Sequence, residues 1–172
     1  MRICETRLKY AAGIAMVQVD SGKMTYKEMV PDRFLNDMHY DLYENRFKEL
    51  FLEKDSVSSF VATDSNHHVE GFKSEGENRL RENDCELHTI CLVEDYQGKQ
   101  IGSKLIKKLT EVFDKQNYHK MIVQVLTGNA AKKFYEKTGA KYLDSSRISI
   151  LGKVLEKSVY SWENIKQIMN SK

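Results

Sequence analysis

The sequence predicts a single domain of mixed α and β structure over residues 1–172. Three observations predict this class. An apolar strand at Cys85–Val93 is followed by a glycine-bearing loop, an amphipathic helix and a second apolar strand, which is the pattern of a right-handed βαβ unit with parallel strands. Strand pairs lie on both sides of this unit, and apolar residues recur at helical spacing before it. No internal repeat or linker divides the chain, so we expect one domain.

The first third of the chain predicts a short strand and then helices. Arg2–Thr6 has strand character, and the alanine-rich, apolar segment Tyr10–Val19 predicts a helix. Asp20-Ser21-Gly22 is typical of a helix end. After the only proline, apolar residues at helical spacing predict one or two helices over Asp32–Lys54, with a break near His39 as one option.

The middle of the chain predicts a hairpin and a polar loop. The β-rich segments Val57–Thr63 and His68–Lys73 flank Asp64-Ser65-Asn66, which has the composition of a turn. Ser74–Asp84 is polar and charged, so we expect a solvated loop. Such a loop is either a connector or a rim that faces the substrate.

The last half of the chain alternates strands and helices. Apolar residues from Ile101 to Phe113 form a stripe at helical spacing. The elements predicted after it are a strand at Lys120–Leu126, a helix at Ala130–Thr138 ended by Gly139, strands at Lys141–Ile150 and Lys153–Trp162, and a helical turn or two in Glu163–Lys172.

Composition excludes several classes of function. Basic residues number 27 and acidic residues 25, interspersed along the chain, so a nucleic-acid-binding surface is not expected as the main function. Cys4, Cys85 and Cys91 have no metal-ligand spacing, which indicates a reduced, cytoplasmic protein without a metal site. The N-terminus lacks a long apolar stretch, so we expect neither a signal peptide nor a membrane span.

The loop Gln97–Gly102 is the first candidate site. It joins an apolar strand to the N-terminus of a helix, where free N–H groups and the helix dipole favour an anion. Gly98 and Gly102 leave room for a phosphate to approach the backbone. This local pattern alone fits two interpretations equally, an anion site or a corner that uses glycine to turn.

Two motifs together resemble the GNAT N-acetyltransferase superfamily. QGKQIG at Gln97–Gly102 resembles its pyrophosphate loop, and NAAKKFYEKTGAKYL at Asn129–Leu143 resembles its second conserved segment. The resemblance implies a mixed, mostly antiparallel sheet of about seven strands, with a splayed parallel pair at the βαβ unit and about four flanking helices. It also implies an enzyme that transfers acetyl from acetyl-CoA to a primary amine of a small molecule or a protein.

The loop departs from the family pattern at one position. Gln100 stands where the family usually has glycine. If the backbone there needs a positive φ, glutamine costs stability. Its side-chain amide can still donate to a phosphate, so we expect weaker binding of the cofactor rather than none.

The resemblance also assigns contacts with the cofactor. It implies that three residues of one strand run their backbone beside the pantetheine arm, namely Ile90, Leu92 and Val93. It implies that seven consecutive backbone amides surround the pyrophosphate, those of Gln97, Gly98, Lys99, Gln100, Ile101, Gly102 and Ser103. It further implies that Asn129 hydrogen-bonds the pantetheine and that Phe134 packs near it.

Three residues are candidates for acid–base chemistry. The second motif implies that Tyr135 protonates the CoA sulfur, whereas the plain alternative is a core aromatic residue. Glu86 and His88 lie two apart on one strand, so their side chains share a face. Either of them is a candidate base for the amine, and the alternative is a polar, half-solvated strand face.

A second class of function stays open at this stage. The domain would then bind acyl-CoA without transferring the acyl group, as a sensor or interaction module. For the enzyme, the expected partners are acetyl-CoA and an amine acceptor, and the expected state is monomer or homodimer. The apolar residues of the tail either form an interface or pack on their own domain.

Overall fold

The computed structural model describes residues 1–52, 59–77 and 85–170. Seven strands form one sheet. They are β1 Arg2–Glu5, β2 Ser59–Thr63, β3 Val69–Glu77, β4 Cys85–Leu92, β5 Met121–Leu126, β6 Lys141–Ile150 and β7 Lys153–Trp162. Within the described ranges six α-helices flank this sheet. They are α1 Ala11–Tyr26, α2 Asp32–Asn36, α3 Tyr40–Leu52, α4 Ile101–Lys115, α5 Ala131–Lys137 and α6 Lys166–Asn170.

The mixed α and β class predicted from the sequence is confirmed. The strand order is β1-β2-β3-β4-β5-β7-β6, and β4 and β5 form the parallel pair in an otherwise antiparallel sheet. The predicted hairpin, the break before α3 and both C-terminal strands are also present. None of the helices in the described ranges is long and apolar enough to cross a membrane.

The parallel pair is short and then splays. Cys85–Leu87 pairs with Met121–Val123, and the pairing stops there. Beyond this point β4 continues to pair with β3, and β5 continues to pair with β7. The sheet therefore opens between the C-terminal halves of β4 and β5, as expected for the splayed pair.

The predicted helix end at Asp20-Ser21-Gly22 is wrong, because α1 continues to Tyr26. The Ser21 hydroxyl donates to the Val17 carbonyl at 2.5 Å, so this residue finds its partner inside the helix. A Cβ at Gly22 would lie 2.6 Å from Cε of Met38. Glycine therefore permits close packing at this position, and it does not mark a helix end.

The predicted solvated loop at Ser74–Asp84 is wrong for its first four residues, which continue β3. Gly76 pairs with Glu86, and Glu77 pairs with Cys85. Pairing with β4 overrides the polar composition of this segment. The rest of that segment, residues 78–84, lies outside the described residues, as do residues 53–58.

The helices cover both faces of the sheet. On one face α4 packs Ile106 and Leu109 against Leu87 and Val123. On the other face α1 packs against Phe72 and its neighbours, and we call these the α4 face and the α1 face. Ile165 and Ile168 are buried in the α4-face cluster, so these tail residues pack on their own domain.

Candidate active site

The edge of β4 presents backbone groups to the opening in the sheet. The Val93 amide donates to the Glu70 carbonyl at 2.9 Å, and the Val93 carbonyl accepts from Tyr96. In an antiparallel pair, alternate residues bond to the partner strand, so the N–H and C=O groups of Ile90 and Leu92 point away from β3. They face the gap beside β5. The backbone groups of Ile90 and Leu92 therefore line the gap, and the Leu92 carbonyl also accepts from the Gln97 side-chain amide at 3.5 Å. The N–H of Val93 is used within the sheet.

A bulge in β4 sets which side chains lie on each face. Ser74 pairs with Thr89 and Glu75 with Leu87, so His88 is an extra residue in the strand. Leu87 and Ile90 consequently both join the α4-face clusters, although they are three residues apart.

The loop after β4 has the shape expected for an anion site. Gly98 has φ +72° and Gln100 has φ +61°, and α4 begins at the next residue, Ile101. No side chain caps the first turn of α4. The first N–H groups of this helix are thus available to an anion. The Lys99 ammonium lies 5.2 Å from the Tyr96 ring centroid and brings a positive charge to the same loop.

The two motifs meet at the start of α4. A Cβ at Gly102 would lie 3.1 Å from Cζ of Phe134 and 3.6 Å from Cδ1 of Leu92. The absence of a side chain at Gly102 lets the Phe134 ring lie against the first turn of α4. Ser103 follows on the exposed side of that turn. The fold therefore brings together the strand, the loop and the second motif, as the resemblance implies.

The backbone of Gln100 is strained, because φ is positive at a residue other than glycine. Left-handed backbone lowers the stability of a residue other than glycine by about 1 kcal/mol. Glycine avoids this cost, but it also increases the conformational entropy of the unfolded chain, which offsets part of the gain. We expect Gln100→Gly to raise the free energy of unfolding by about 0.5 kcal/mol in urea titrations. Gln97→Gly is the matched control because Gln97 has an ordinary φ of −68°, so it should lower stability. Equal losses in both variants would contradict the strain at Gln100.

Asn129 is buried at the N-terminus of α5. Its side-chain oxygen accepts a hydrogen bond from the Ala131 backbone amide at 2.8 Å, and its backbone N–H donates to the Leu126 carbonyl. The first bond fixes the orientation of the side chain at the end of β5, beside the gap. The nitrogen of that side-chain amide is the donor that a pantetheine carbonyl would use.

Tyr135 follows Phe134 on α5, with the two ring centroids 5.6 Å apart, and it is almost fully buried. Its ring meets the Trp162 ring edge-on, with the centroids 5.9 Å apart. Burial raises the pKa of Tyr135 far above its usual value, and the neighbouring Tyr26 and Cys91 raise it further. Tyr135 is thus close to groups on α1 and β4, and its hydroxyl stays protonated at any physiological pH.

The Cys91 thiol, which is half-buried and close to Tyr135, does not serve as a nucleophile. Burial raises the pKa of Cys91 to about 11, although a hydrogen bond with Ser21 lowers it somewhat. The Sγ atom also lies 3.7 Å from Oε1 of Gln18. A neutral, hydrogen-bonded thiol of this kind is a packing residue.

Glu86 and His88 share one face of β4, as the sequence predicts. Oε2 of Glu86 lies 3.8 Å from Nε2 of His88. Oε1 of Glu86 accepts from the Gln124 amide at 3.0 Å, and the Gln124 oxygen accepts from the Lys157 ammonium at 2.7 Å. The structure thus places the carboxylate between an imidazole and an amide.

Gln124 and Lys157 were missed by the sequence analysis. Gln124 is the one polar residue in the apolar strand MIVQVL, and that exception was an available signal. Lys157 gives no such signal, because only the pairing of β5 with β7 brings it near Gln124.

One cluster away from these residues has metal-like spacing. Ligand atoms of Asp64, His68 and Glu70 lie within 4.8 Å of one another near the β2–β3 turn. The Asp64 carboxylate already accepts hydrogen bonds from the Asn66 and His68 amides. These bonds hold the turn, so we assign the cluster to the hairpin.

Comparison with known proteins identifies the family. The model of the Acetyltransferase (GNAT) family matches residues 23–140. The chain belongs to this family. The uncharacterized N-acetyltransferase YuaI of Bacillus subtilis (strain 168) is 30% identical over 166 residues, which cover 95% of this chain and 94% of the relative. GNAT membership makes the chain an acyl-CoA-dependent N-acetyltransferase.

Solved structures of GNAT enzymes share its fold. The ribosomal-protein-alanine N-acetyltransferase from Brucella melitensis superposes with a TM-score of 0.75 at 20% identity, covering 94% of this chain and 99% of that one. The PaiA N-acetyltransferase from Thermoplasma acidophilum, solved in complex with coenzyme A, gives 0.72 at 17% identity, covering 91% and 96%. At these identities the likeness shows the fold alone.

Proposed function

We propose that this protein transfers an acetyl group from acetyl-CoA to a primary amine of a small molecule or a protein. The observation that carries the proposal is the opening in the sheet. The backbone of Ile90 and Leu92 lines it, and the loop at Gln97–Gly102 closes one end. A ligand with amide groups along its length and an anion at one end fits this arrangement.

The residues present fit acetyl-CoA. Its pantetheine arm carries amides that pair with Ile90 and Leu92 as an added strand would. The amides from Gly98 to Ser103 then surround the pyrophosphate, and Asn129 donates to the arm. The Gln97 backbone amide, which the resemblance also implied, instead donates to the Glu94 carbonyl at 3.0 Å. When bound, acetyl-CoA supplies an activated thioester.

The chain supplies the proton transfers. The acceptor must lose a proton before its nitrogen attacks, and Glu86 and His88 form the polar pair next to the gap. The leaving sulfur needs a proton, and Tyr135 holds one because burial keeps its hydroxyl neutral. The base and the acid come from β4 and from α5, the strand and the helix that adjoin the gap.

Two measurements test the proposal. Calorimetry with acetyl-CoA should show binding, and release of free CoA over a panel of small amines and N-terminal peptides should show turnover. Binding that raises the melting temperature without turnover on any amine would favour a non-catalytic acyl-CoA sensor. Loss of binding altogether would contradict both functions.

Other parts of the proposal depend on the family and on composition. We expect no metal to take part. The panel of amines and peptides distinguishes a small-molecule acceptor from a protein acceptor. Light scattering distinguishes a monomer from a homodimer. The three cysteines in the described chain are free, which supports the cytoplasm as the location.

A further inference from the structure

A chain of polar contacts crosses three strands on the α1 face. It runs from Lys157 on β7 to Gln124 on β5 and from there to Glu86 on β4, with donor–acceptor distances of 2.7 and 3.0 Å. His88 lies beyond Glu86, with Nε2 3.8 Å from the second carboxylate oxygen. We call these four residues the Lys157–His88 relay.

The Lys157 ammonium determines which atoms donate and which accept along the Lys157–His88 relay. A lysine ammonium can only donate hydrogen bonds, so Gln124 must turn its oxygen toward Lys157. The Gln124 nitrogen then faces Glu86, and an amide nitrogen can only donate. Glu86 is therefore held as an acceptor, which favours its ionised form.

The side chains of Glu86 and His88 differ in how much of their surface is exposed. The Glu86 side chain is 1% exposed, whereas the His88 side chain is 25% exposed. The His88 nitrogen that faces Glu86 is itself buried. An acceptor amine can thus reach the imidazole from its exposed edge, while the carboxylate is closed off behind it.

We propose that Lys157 and Gln124 are positioning residues, which hold Glu86 charged and oriented so that His88 takes the proton from the acceptor. This inference rests on the proposed function and assigns its base. The N–H bond of the acceptor ammonium breaks, and its proton binds an imidazole nitrogen of His88. The Glu86 carboxylate stabilises the resulting imidazolium, which later returns the proton to solvent.

Lys157 is connected to this pair through Gln124, which lies between the Lys157 ammonium and the Glu86 carboxylate. Two partners of Glu86 are uncharged, namely Gln124 on β5 and Gly76, which pairs with it from β3. Among the titratable groups beyond the pair, Tyr26 on α1 interacts with Cys91 and Tyr43, and Tyr135 on α5 interacts with Tyr26 and Cys91. Removing Lys157 should therefore change the proton affinity of the pair in one direction. The loss of a nearby cation makes both groups hold a proton more tightly.

The first test needs no acetyl acceptor. The His88 ring signal is followed by NMR from pH 5 to pH 9 in the ligand-free protein and assigned by its loss in His88→Gln. We expect its titration midpoint to rise by about 0.5 pH unit in Lys157→Met, from the Coulomb energy of a partly screened charge. Gln124→Leu should shift it in the same direction because Glu86 loses its donor.

Lys153→Met is the matched control. Lys153 lies on the same face of β7, four residues and about 13 Å from Lys157, and it is solvent-exposed. Its substitution removes the same charge without touching the relay and should leave the midpoint in place. Equal shifts in Lys157→Met and Lys153→Met, or no shift in either, would overturn the inference.

Kinetics separate this inference from the proposed function. With an amine that turns over, Lys157→Met should move the rising limb of the pH–kcat profile to higher pH and keep KM for acetyl-CoA. Lys157→Arg, which can still donate to Gln124, should restore the wild-type profile. A wild-type enzyme without turnover would refute the proposed function, whereas an active enzyme with an unchanged Lys157→Met profile would refute the relay.

Discussion

Tyr135→Phe is expected to lower kcat for acetyl transfer by about 100-fold, a typical contribution of a positioned acid. Burial raises the pKa of Tyr135, with Tyr26 and Cys91 adding to the effect, so the hydroxyl is protonated and can supply the leaving sulfur. Phenylalanine keeps the ring contact with Trp162 and loses only the hydroxyl. Steady-state CoA release, measured at saturating acetyl-CoA, reports the change, and KM for acetyl-CoA should stay within about twofold, because the variant loses an interaction made in the transition state.

Tyr142→Phe provides the matched control for this variant. Tyr142 is 60% exposed on β6 and also makes an edge-on ring contact, with Tyr160 at 6.0 Å. The Tyr142→Phe substitution also removes a tyrosine hydroxyl, but from a position outside the gap. The kcat of this variant should therefore equal that of the wild type. The raised pKa of Tyr135 also predicts that no falling limb from this residue enters the pH–kcat profile below pH 10. An unchanged kcat in Tyr135→Phe would leave this residue as a core aromatic.

Strong local patterns in the sequence predicted most of the fold. The predicted C-terminal strands match β6 and β7, and the predicted parallel pair is present, because alternation and apolar runs dominate there. Tertiary contacts decided the two failures. Gly22 has the composition of a helix end, but the structure uses it for close packing against Met38. Residues 74–77 have the composition of a loop, but they form a strand because β4 pairs with them.

The candidate site was predictable where its residues are neighbours in sequence. Glu86 and His88 lie two apart on one strand, and the glycine loop is contiguous, so strand alternation and spacing place them. The direction of the Val93 amide depends on which pairs of β3 and β4 exchange hydrogen bonds, and no spacing shows that. Lys157 reaches Gln124 only because β7 lies beside β5 in the sheet.

The relay makes a second prediction, which ranks the two candidate bases. His88→Gln is expected to lower kcat by about 100-fold, as for loss of a general base. Glu86→Gln should lower it by about tenfold, because the imidazole remains and loses only its stabilising anion. If Glu86 itself took the proton, the ranking would be reversed. Both variants should keep KM for acetyl-CoA within about twofold, since neither side chain belongs to the pyrophosphate loop.

The pH profile of Glu86→Gln gives the sharper readout. Removing an anion beside an imidazole disfavours the imidazolium, so the rising limb should move to lower pH, opposite to the shift in Lys157→Met. Glu156→Gln is the control, because Glu156 is an exposed carboxylate on β7 beside Lys157 and by strand alternation points to the other face. Shifts of the same sign in Glu86→Gln and Lys157→Met would mean that the two charges do not act on one imidazole. Opposite signs, with the control unmoved, would establish that His88 is the group they tune.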